Sequence, residues 1–507
     1  MQKKWYKILF RRRFIVTLLL VLQALAVVGL IQSGVRRYAF MAPVLGFLSA
    51  LAVLYIISRQ DTAGYKLTWA VLILLFPVFG GLFYIFYRLQ SSTETLSRSM
   101  EKIRPQYLLP GDAFGEAVRE MPEYTASLTA LQNFSGFPVY DKTKTTYFSS
   151  GEAKFEALLA DLRRAQKYIF LEYFIIQPGK MWDSILEILI EKAARGVEVR
   201  VLYDDMGCFL LLPTDYKKFL EEKGIKCMVF NPFRPFLSAL QNNRDHRKIA
   251  VIDGVVAYTG GVNLADEYIN AVERFGHWRD AAVRLEGAAA WSMTVMFLTM
   301  WRLCTKTEEN FFRFYPYKDT PCMMESDGFV QPYCDSPLDR DHVGERVYMQ
   351  MITGAKKYLY ISTPYLIIDD SMLSALVTAA QSGVDVRILT PEKWDKRLVH
   401  LTTRSYYREL TRGGVKIYEY TGGFNHAKTF VSDDTVATVG TVNLDFRSLY
   451  LHFECGTKLY KTEAVKAVRQ DFLYTLSRSR EITEKDLRGG ALVRTAQSIL
   501  RLFAPLM

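Results

Sequence analysis

The sequence predicts an α/β protein whose main body is two copies of one βαβ unit packed about a pseudo-twofold, preceded by N-terminal transmembrane helices. Three observations predict it. Two passages run through the same order of elements, a short polar motif recurs once after each, and three long apolar stretches open the chain. The chain has 507 residues, half of them apolar and 14% aromatic. That is ample for several cores and excludes a disordered chain.

Residues 1–88 read as the membrane region, with apolar stretches at about 14–32, 39–58 and 67–87. Each has about the ~20 residues a helix needs to cross a bilayer. Tyr and Trp gather at the ends of the third, "LTWAVLILLFPVFGGLFYIFY", as at a membrane interface. The basic lead "MQKKWYKILFRRRF" would also suit a signal peptide, but three stretches in succession favour integral anchoring. Lys3, Lys4, Lys7, Arg11, Arg12 and Arg13 argue for a cytoplasmic N-terminus, whereas Arg88, Arg98, Lys102 and Arg104 pull the other way. Sidedness stays open, as does two against three spans.

A polar connector follows over 89–135, then a first α/β domain over 136–315 and a second over 316–507. The first contains "AQKYIFLEYFIIQPGKMWDSILEILIEKAARGVEVRVLYDD" and the second "AKKYLYISTPYLIIDDSMLSALVTAAQSGVDVRILTPEKWD". Each reads as an apolar strand, a polar loop, an amphipathic helix, a Gly turn and a buried strand, which implies βαβ units and a mostly parallel sheet. The end of the chain, "ALVRTAQSILRLFAPLM", puts Leu492, Ala496, Ile499, Leu500 and Phe503 on one helical face. That fits a core-packing helix or one lying on acidic lipid.

The net charge of +11 suggests an anionic partner. With the apolar stretches, an acidic bilayer fits better than nucleic acid. The six cysteines, Cys208, Cys227, Cys304, Cys322, Cys334 and Cys455, form no CxxC pair and read as scattered thiols. No metal-ligand spacing occurs, and no cofactor or metal is expected.

The recurring motif is His246-x-Lys248-x4-Asp253 in "NRDHRKIAVIDG" and His426-x-Lys428-x4-Asp433 in "NHAKTFVSDD". Each copy continues at identical spacing to a Gly and an Asn, Gly260 and Asn263 in one, Gly440 and Asn443 in the other. Residues two apart on a strand share a face, so each His lies beside its Lys. Two His, two Lys and two Asn brought together about a pseudo-twofold suit a phosphoryl group. Lysines and amides can hold its oxygens. One imidazole can attack phosphorus while the other protonates the leaving oxygen.

From about Gly136 onward the chain resembles the phospholipase D superfamily, and within it the bacterial cardiolipin synthases. The stretches that carry the likeness are the two motifs with "TGGVNLADEY", "FGHWRDAAVRLEG", "ISTPYLIIDD" and "VGTVNLDFRSLYLHFE". The resemblance implies a catalytic set of His246, Lys248, Asp253, His426, Lys428 and Asp433, with phosphate bound by the lysines, Asn263 and Asn443. It implies one fixed histidine as nucleophile, His246 being preferred, and a structural role for the two aspartates. It also implies an acidic residue that orients each histidine from the opposite half, Asp280 for His426 and Glu454 for His246. His277, His342, His400 and His452 show no second pairing and read as structural or exposed. The implied function is a multi-pass enzyme of the bacterial cell membrane that moves a phosphatidyl group from one phosphatidylglycerol to another. It would release glycerol through a phosphohistidine. A hydrolytic phospholipase D, another phosphatidyltransferase, a nuclease and a non-catalytic membrane scaffold are the rival readings.

Overall fold

The computed structural model describes residues 42–59, 63–75, 107–108, 113–233, 242–338, 341–487 and 490–506, and residues 25, 28, 29 and 84 besides. At the N-terminal end, α1 (Ala42–Ile57) and α2 (Ala63–Leu75) pack against each other around Ile56, Trp69 and Ile73. They have 16 and 13 residues, roughly 24 and 20 Å at 1.5 Å per residue, short of the ~30 Å of a bilayer core. Among the described residues no helix is long and apolar enough to cross a membrane. The expected spans at about 39–58 and 67–87 therefore differ from the described helices. Polar Ser58 and Arg59 close α1, and α2 is described as far as Leu75, just before the Phe76–Pro77 step that disfavours helix. The stretch at 14–32 lies outside the described residues apart from residues 25, 28 and 29.

The expected connector contains two helices, α3 (Ala113–Glu120) and α4 (Thr125–Ser135). Their apolar faces, including Ala117, Leu128 and Leu131, enter the core of the second half rather than the first.

The first half holds β1 (Thr143–Phe148), α5 (Gly151–Arg164), β2 (Tyr168–Tyr173), α6 (Lys180–Ala194), β3 (Glu198–Asp204), β4 (Lys226–Phe230), β5 (Arg244–Asp245), β6 (Lys248–Ile252), β7 (Val256–Gly260), β8 (His277–Arg279), β9 (Ala282–Gly287) and α7 (Ala290–Thr305). The second holds β10 (Phe329–Asp335), α8 (Val343–Gly354), β11 (Tyr358–Ser362), α9 (Asp370–Gln381), β12 (Asp385–Pro391), α10 (Arg397–Arg412), β13 (Lys416–Tyr420), β14 (Gly423–Asn425), β15 (Thr429–Ser432), β16 (Val436–Gly440), α11 (Phe446–Tyr450), β17 (His452–Tyr460), α12 (Glu463–Leu476), β18 (Ser479–Glu481) and α13 (Ala491–Leu502). One sheet runs β1-β9-β7-β6-β2-β3-β4 and the other β10-β17-β16-β15-β11-β12-β13-β18. Apart from β18 these are the same order, so the repeat seen in the sequence is a repeat of topology.

The sheets are mixed rather than mostly parallel. The βαβ crossovers make β2–β3–β4 and β11–β12–β13 parallel. The motif strands β6 and β15 instead turn back tightly into β7 and β16 and pair antiparallel, because too few residues intervene for a crossover. Helices α5 and α6 cover the outer face of the first sheet, and α8, α9 and α10 that of the second. A joint core contains α7, α12 and residues of both sheets, including Val251, Val283, Met296, Phe297, Val431 and Val468. All six cysteines are free thiols.

Candidate active site

β6 and β15 present the two motifs to one cleft. His246, in the extended link between β5 and β6, turns to the same side as Lys248 at the start of β6. The alternation sends Arg247, 1% exposed, to the other face, where it lies 3.2 Å from Glu172 and 3.4 Å from Asp245. This explains why cations sit against a buried strand: one serves the cleft and the other a buried ion network.

The halves exchange short strands at the cleft. β5 pairs in parallel with β17, Arg244 opposite His452 and Asp245 opposite Phe453. β14 pairs in parallel with β8, Phe424 opposite Trp278 and Asn425 opposite Arg279. The next residue along each pair is a motif histidine on one strand and a carboxylate on the other. His246 N–H donates to Phe453 O at 3.0 Å, and His426 N–H to Arg279 O at 2.7 Å. His246 Nδ1 then lies 2.9 and 3.0 Å from the two carboxylate oxygens of Glu454. His426 Nδ1 donates to Asp280 at 2.6 Å. Each histidine is thus held by the opposite half, and each keeps Nε2 for chemistry. Thr441 donates a further hydrogen bond to Glu454. The equivalent position is Gly261, where a Cβ would collide with the Asp280 carboxylate.

Lys248 and Lys428 are buried, and each ammonium donates to the carbonyl of its own histidine. Asn263 accepts from Ile175 N–H at 3.1 Å and donates to Tyr268 at 2.7 Å. Asn443 is buried, and its Oδ1 has no hydrogen-bond partner among the described residues. Asp253 and Asp433 are not brought to the histidines. They sit at the far ends of β6 and β15 in left-handed turns, φ 53° and 57°. Asp253 accepts from the N–H groups of Gln166, Lys167 and Tyr168 at 2.7–2.8 Å. Asp433 accepts from those of Lys356, Lys357 and Tyr358 at 2.8–3.0 Å. Their work is to fix the starts of β2 and β11.

Burial dominates the electrostatics. It lowers Lys248 to about 8 against the pull of Glu454, and Lys428 to about 7 against Asp280. Burial and then Lys428 bring His426 down to about 4, while Asp280 pulls it up. Burial, Lys248, His452, Lys428 and His426 together hold His246 well below its ordinary value. The carboxylates diverge. Burial pushes Glu454 well up, whereas Lys428 and His426 outweigh burial at Asp280 and hold it low. The geometry is symmetric but the charge is not: both imidazoles are held low, yet only His426 faces a carboxyl group that is held low as well.

Residues 158–275 and 348–476 match the family described as "Cardiolipin synthase, PLD-like domain", and residues 43–88 match a phospholipase D-nuclease N-terminal family. A cardiolipin synthase of Alkalihalophilus pseudofirmus is 35% identical over 94% of this chain and 96% of its own. One from Halalkalibacterium halodurans is 36% identical over 90% and 91%. The chain belongs to the phospholipase D-like cardiolipin synthase family. An uncharacterized protein of Streptococcus mutans is 45% identical over 90% of this chain and 99% of its own. The fold is also that of a phosphatidylserine synthase from Haemophilus influenzae, at a TM-score of 0.55 with 15% identity over 76% of this chain and 98% of the other.

In this cardiolipin synthase family member the matched segments take in both motifs, Asn263, Asn443 and Glu454, and the first segment stops before Asp280. His452, read from the sequence as structural or exposed, is instead at the cleft. Its ring centroid lies 5.5 Å from that of His246, and its Nδ1 lies 3.7 Å from Glu454. The signal was its place two residues before Glu454 on one strand, which puts both on one face. Among the described residues, His246, His452 and Glu454 form the group with metal-ligand spacing, their ligand atoms within 4.8 Å of one another. Lys248 beside that group opposes a cation there.

Proposed function

We propose that this chain is a membrane-anchored cardiolipin synthase that uses phosphatidylglycerol as both donor and acceptor. The observation that carries the reading is the crosswise pair of His–carboxylate contacts, with two buried lysines beside them. In the first step His246 Nε2 attacks phosphorus. The P–O bond to glycerol breaks, and protonated His426 gives its Nε2 proton to the departing oxygen. In the second step the free headgroup hydroxyl of another phosphatidylglycerol attacks the phosphatidyl-histidine. The P–N bond breaks, and His426 recovers the proton. One phosphodiester replaces another, so the exchange needs no ATP.

Lys248, Lys428, Asn263 and Asn443 would hold the non-bridging oxygens and offset the charge of the pentavalent transition state. The anion also favours protonation of His426, whose imidazolium Asp280 is placed to stabilise.

Anchoring in the bacterial cell membrane, as a multi-pass protein, is part of the proposal. Its support is the three apolar stretches of the sequence and the outward apolar side chains of α1 and α2, among them Phe47, Leu48, Leu54, Leu74 and Leu75. The division into a membrane region to 88, a connector to 135 and domains over 136–315 and 316–507 belongs to the same reading.

Purified protein incubated with phosphatidylglycerol vesicles tests it. Cardiolipin and glycerol in equal amounts are expected. Phosphatidic acid in place of cardiolipin would make the enzyme a hydrolase, and absence of turnover would make it a scaffold.

A further inference from the structure

The pseudo-twofold relates the two histidines but not their surroundings. The constant spacing of the motifs makes Arg244, Glu267 and Tyr268 of the first half equivalent to Phe424, Arg447 and Ser448 of the second. The positions two before the orienting carboxylates pair Trp278 with His452. Around His426 the wall is aromatic. Trp278, Tyr268 and Phe424 have ring centroids 5.2, 5.7 and 5.9 Å from the imidazole. Around His246 the same positions carry Arg244, Ser448 and His452.

The charges on that basic wall are not all matched. Arg244 lies 3.6 Å from Asp204 and donates to Asn231 O at 2.9 Å. Arg447, by contrast, is half-buried and makes no ion pair among the described residues, whereas its equivalent Glu267 pairs with Arg274 at 2.9 Å. It stands on α11, directly after the turn that carries Asn443 and directly before His452, with Leu451 N–H donating to its carbonyl at 2.9 Å. Lys396 is exposed, 5.4 Å from the Tyr365 ring. Burial, and then the positive charges of Arg447, Lys248, Lys396 and Arg244, hold His452 well below its ordinary value. Tyr365, beside Lys396, directly precedes Leu366, which bridges to Leu444 next to Asn443, and α11 packs on β17, so both cations stand at the Asn443 end of the cleft. Both ring nitrogens of His452 are buried without a hydrogen-bond partner among the described residues.

We infer that the His246 side of the cleft carries a second anion subsite, built from Arg447, Lys396 and His452, for the non-reacting phosphodiester of the acceptor. This rests on the proposed reaction, in which the acceptor alone brings a phosphate that does not react. Glycerol itself, acting as acceptor in headgroup exchange, brings none. The subsite would favour a phosphatidylglycerol headgroup over glycerol or water and so direct the phosphatidyl-histidine toward cardiolipin. The aromatic wall on the other side offers no such charge.

The test uses the full-length protein with a phosphatidylglycerol donor in vesicles and three acceptors: labelled glycerol, labelled glycerophosphoglycerol and labelled phosphatidylglycerol. The readout is the ratio of transfer to each phosphodiester acceptor over transfer to glycerol, which is insensitive to the fraction of active enzyme. Arg447→Gln should lower both ratios about tenfold or more, the scale of one charged hydrogen bond. Arg447→Lys should keep most of the preference, and Lys396→Gln, at an exposed position that tolerates change, should lower it in the same direction. Unchanged ratios in Arg447→Gln and Lys396→Gln would overturn the subsite. A fall with phosphatidylglycerol alone would also overturn it, because the wall would then read lipid and not phosphate. If the wild type transferred to glycerol but never made cardiolipin, the proposed function would fail instead.

Discussion

His246 Nδ1 lies 2.9 Å from the carboxylate of Glu454, 208 residues further along the chain. The contact is dictated by backbone register, since β5 and β17 pair so that Glu454 follows Phe453 just as His246 follows Asp245. Its counterpart, His426 with Asp280, rests on β14 and β8 in the same way. Each orienting carboxylate comes from the half that does not carry the histidine.

Replacing either carboxyl group by its amide should therefore impair chemistry and not folding. Glu454→Gln and Asp280→Asn are each expected to lower kcat about 10²-fold or more, the ordinary worth of positioned acid–base catalysis, with an unchanged Tm. Gly261→Ala should act through Asp280, which its new methyl group would displace. Steady-state kinetics beside thermal melts check all three. Near-normal kcat in Asp280→Asn would show that His426 needs no ionised partner.

Asp253 and Asp433 should behave in the opposite way. Each carboxylate accepts three backbone N–H groups at the start of a central strand. Asp253→Asn should cost roughly 1–3 kcal/mol, as expected for weakened charge-assisted hydrogen bonds. It should leave the turnover of the folded fraction nearly intact. Denaturation curves with active-site titration measure both quantities.

What the sequence revealed and what it hid divide along the same line. The doubled spacing from His246 to Asn263 and from His426 to Asn443 exposed the repeat, because a period-two strand followed by a turn is local information. The mixed direction of the sheet was hidden, because the antiparallel pairing of β6 with β2, and of β15 with β11, joins segments far apart in the chain. So was the place of α3 and α4, whose alanines and leucines enter the core of the half that comes later in the chain. His452 was missed for a similar reason. Its place two residues before Glu454 put it on that carboxylate's face, but this points to the cleft only once β17 is laid beside β5.

The lysines add an alkaline loss to that of His426, whose imidazolium is already held low in the free enzyme. Lys428 at about 7 and Lys248 at about 8 lose their charge as pH rises. The free enzyme then loses the cations that attract phosphate. kcat/KM should accordingly decline above about pH 7–8, while kcat declines at higher pH because bound phosphate keeps both ammonium groups charged. Lys428→Ala and Lys248→Ala should each cost about 10²-fold in kcat/KM. A pH–rate profile with no alkaline limb in kcat/KM would show that the lysines stay charged in the free enzyme.

Metal removal should leave the reaction running. Lys248 and Lys428 already supply the charge a metal would bring to a phosphoryl group. Dialysis against EDTA is expected to preserve turnover in vesicles of fixed charge. Complete loss, restored by one particular divalent ion, would point to ligation at His246, His452 and Glu454 instead.

The central claim is that His246 attacks phosphorus while His426 handles the proton, and the most direct measurement traps the intermediate. A phosphatidyl donor with nitrophenol as leaving group needs little protonation, so it should partly rescue His426→Ala and not His246→Ala. Rapid quenching of His426→Ala with this donor, followed by peptide mapping, should find the phosphatidyl group on His246. A label on His426 in the His246→Ala variant, with rescue of that variant alone, would reverse the two roles. Equal rescue of both variants, with no labelled histidine in the wild type, would contradict the covalent route and leave direct attack by the acceptor hydroxyl.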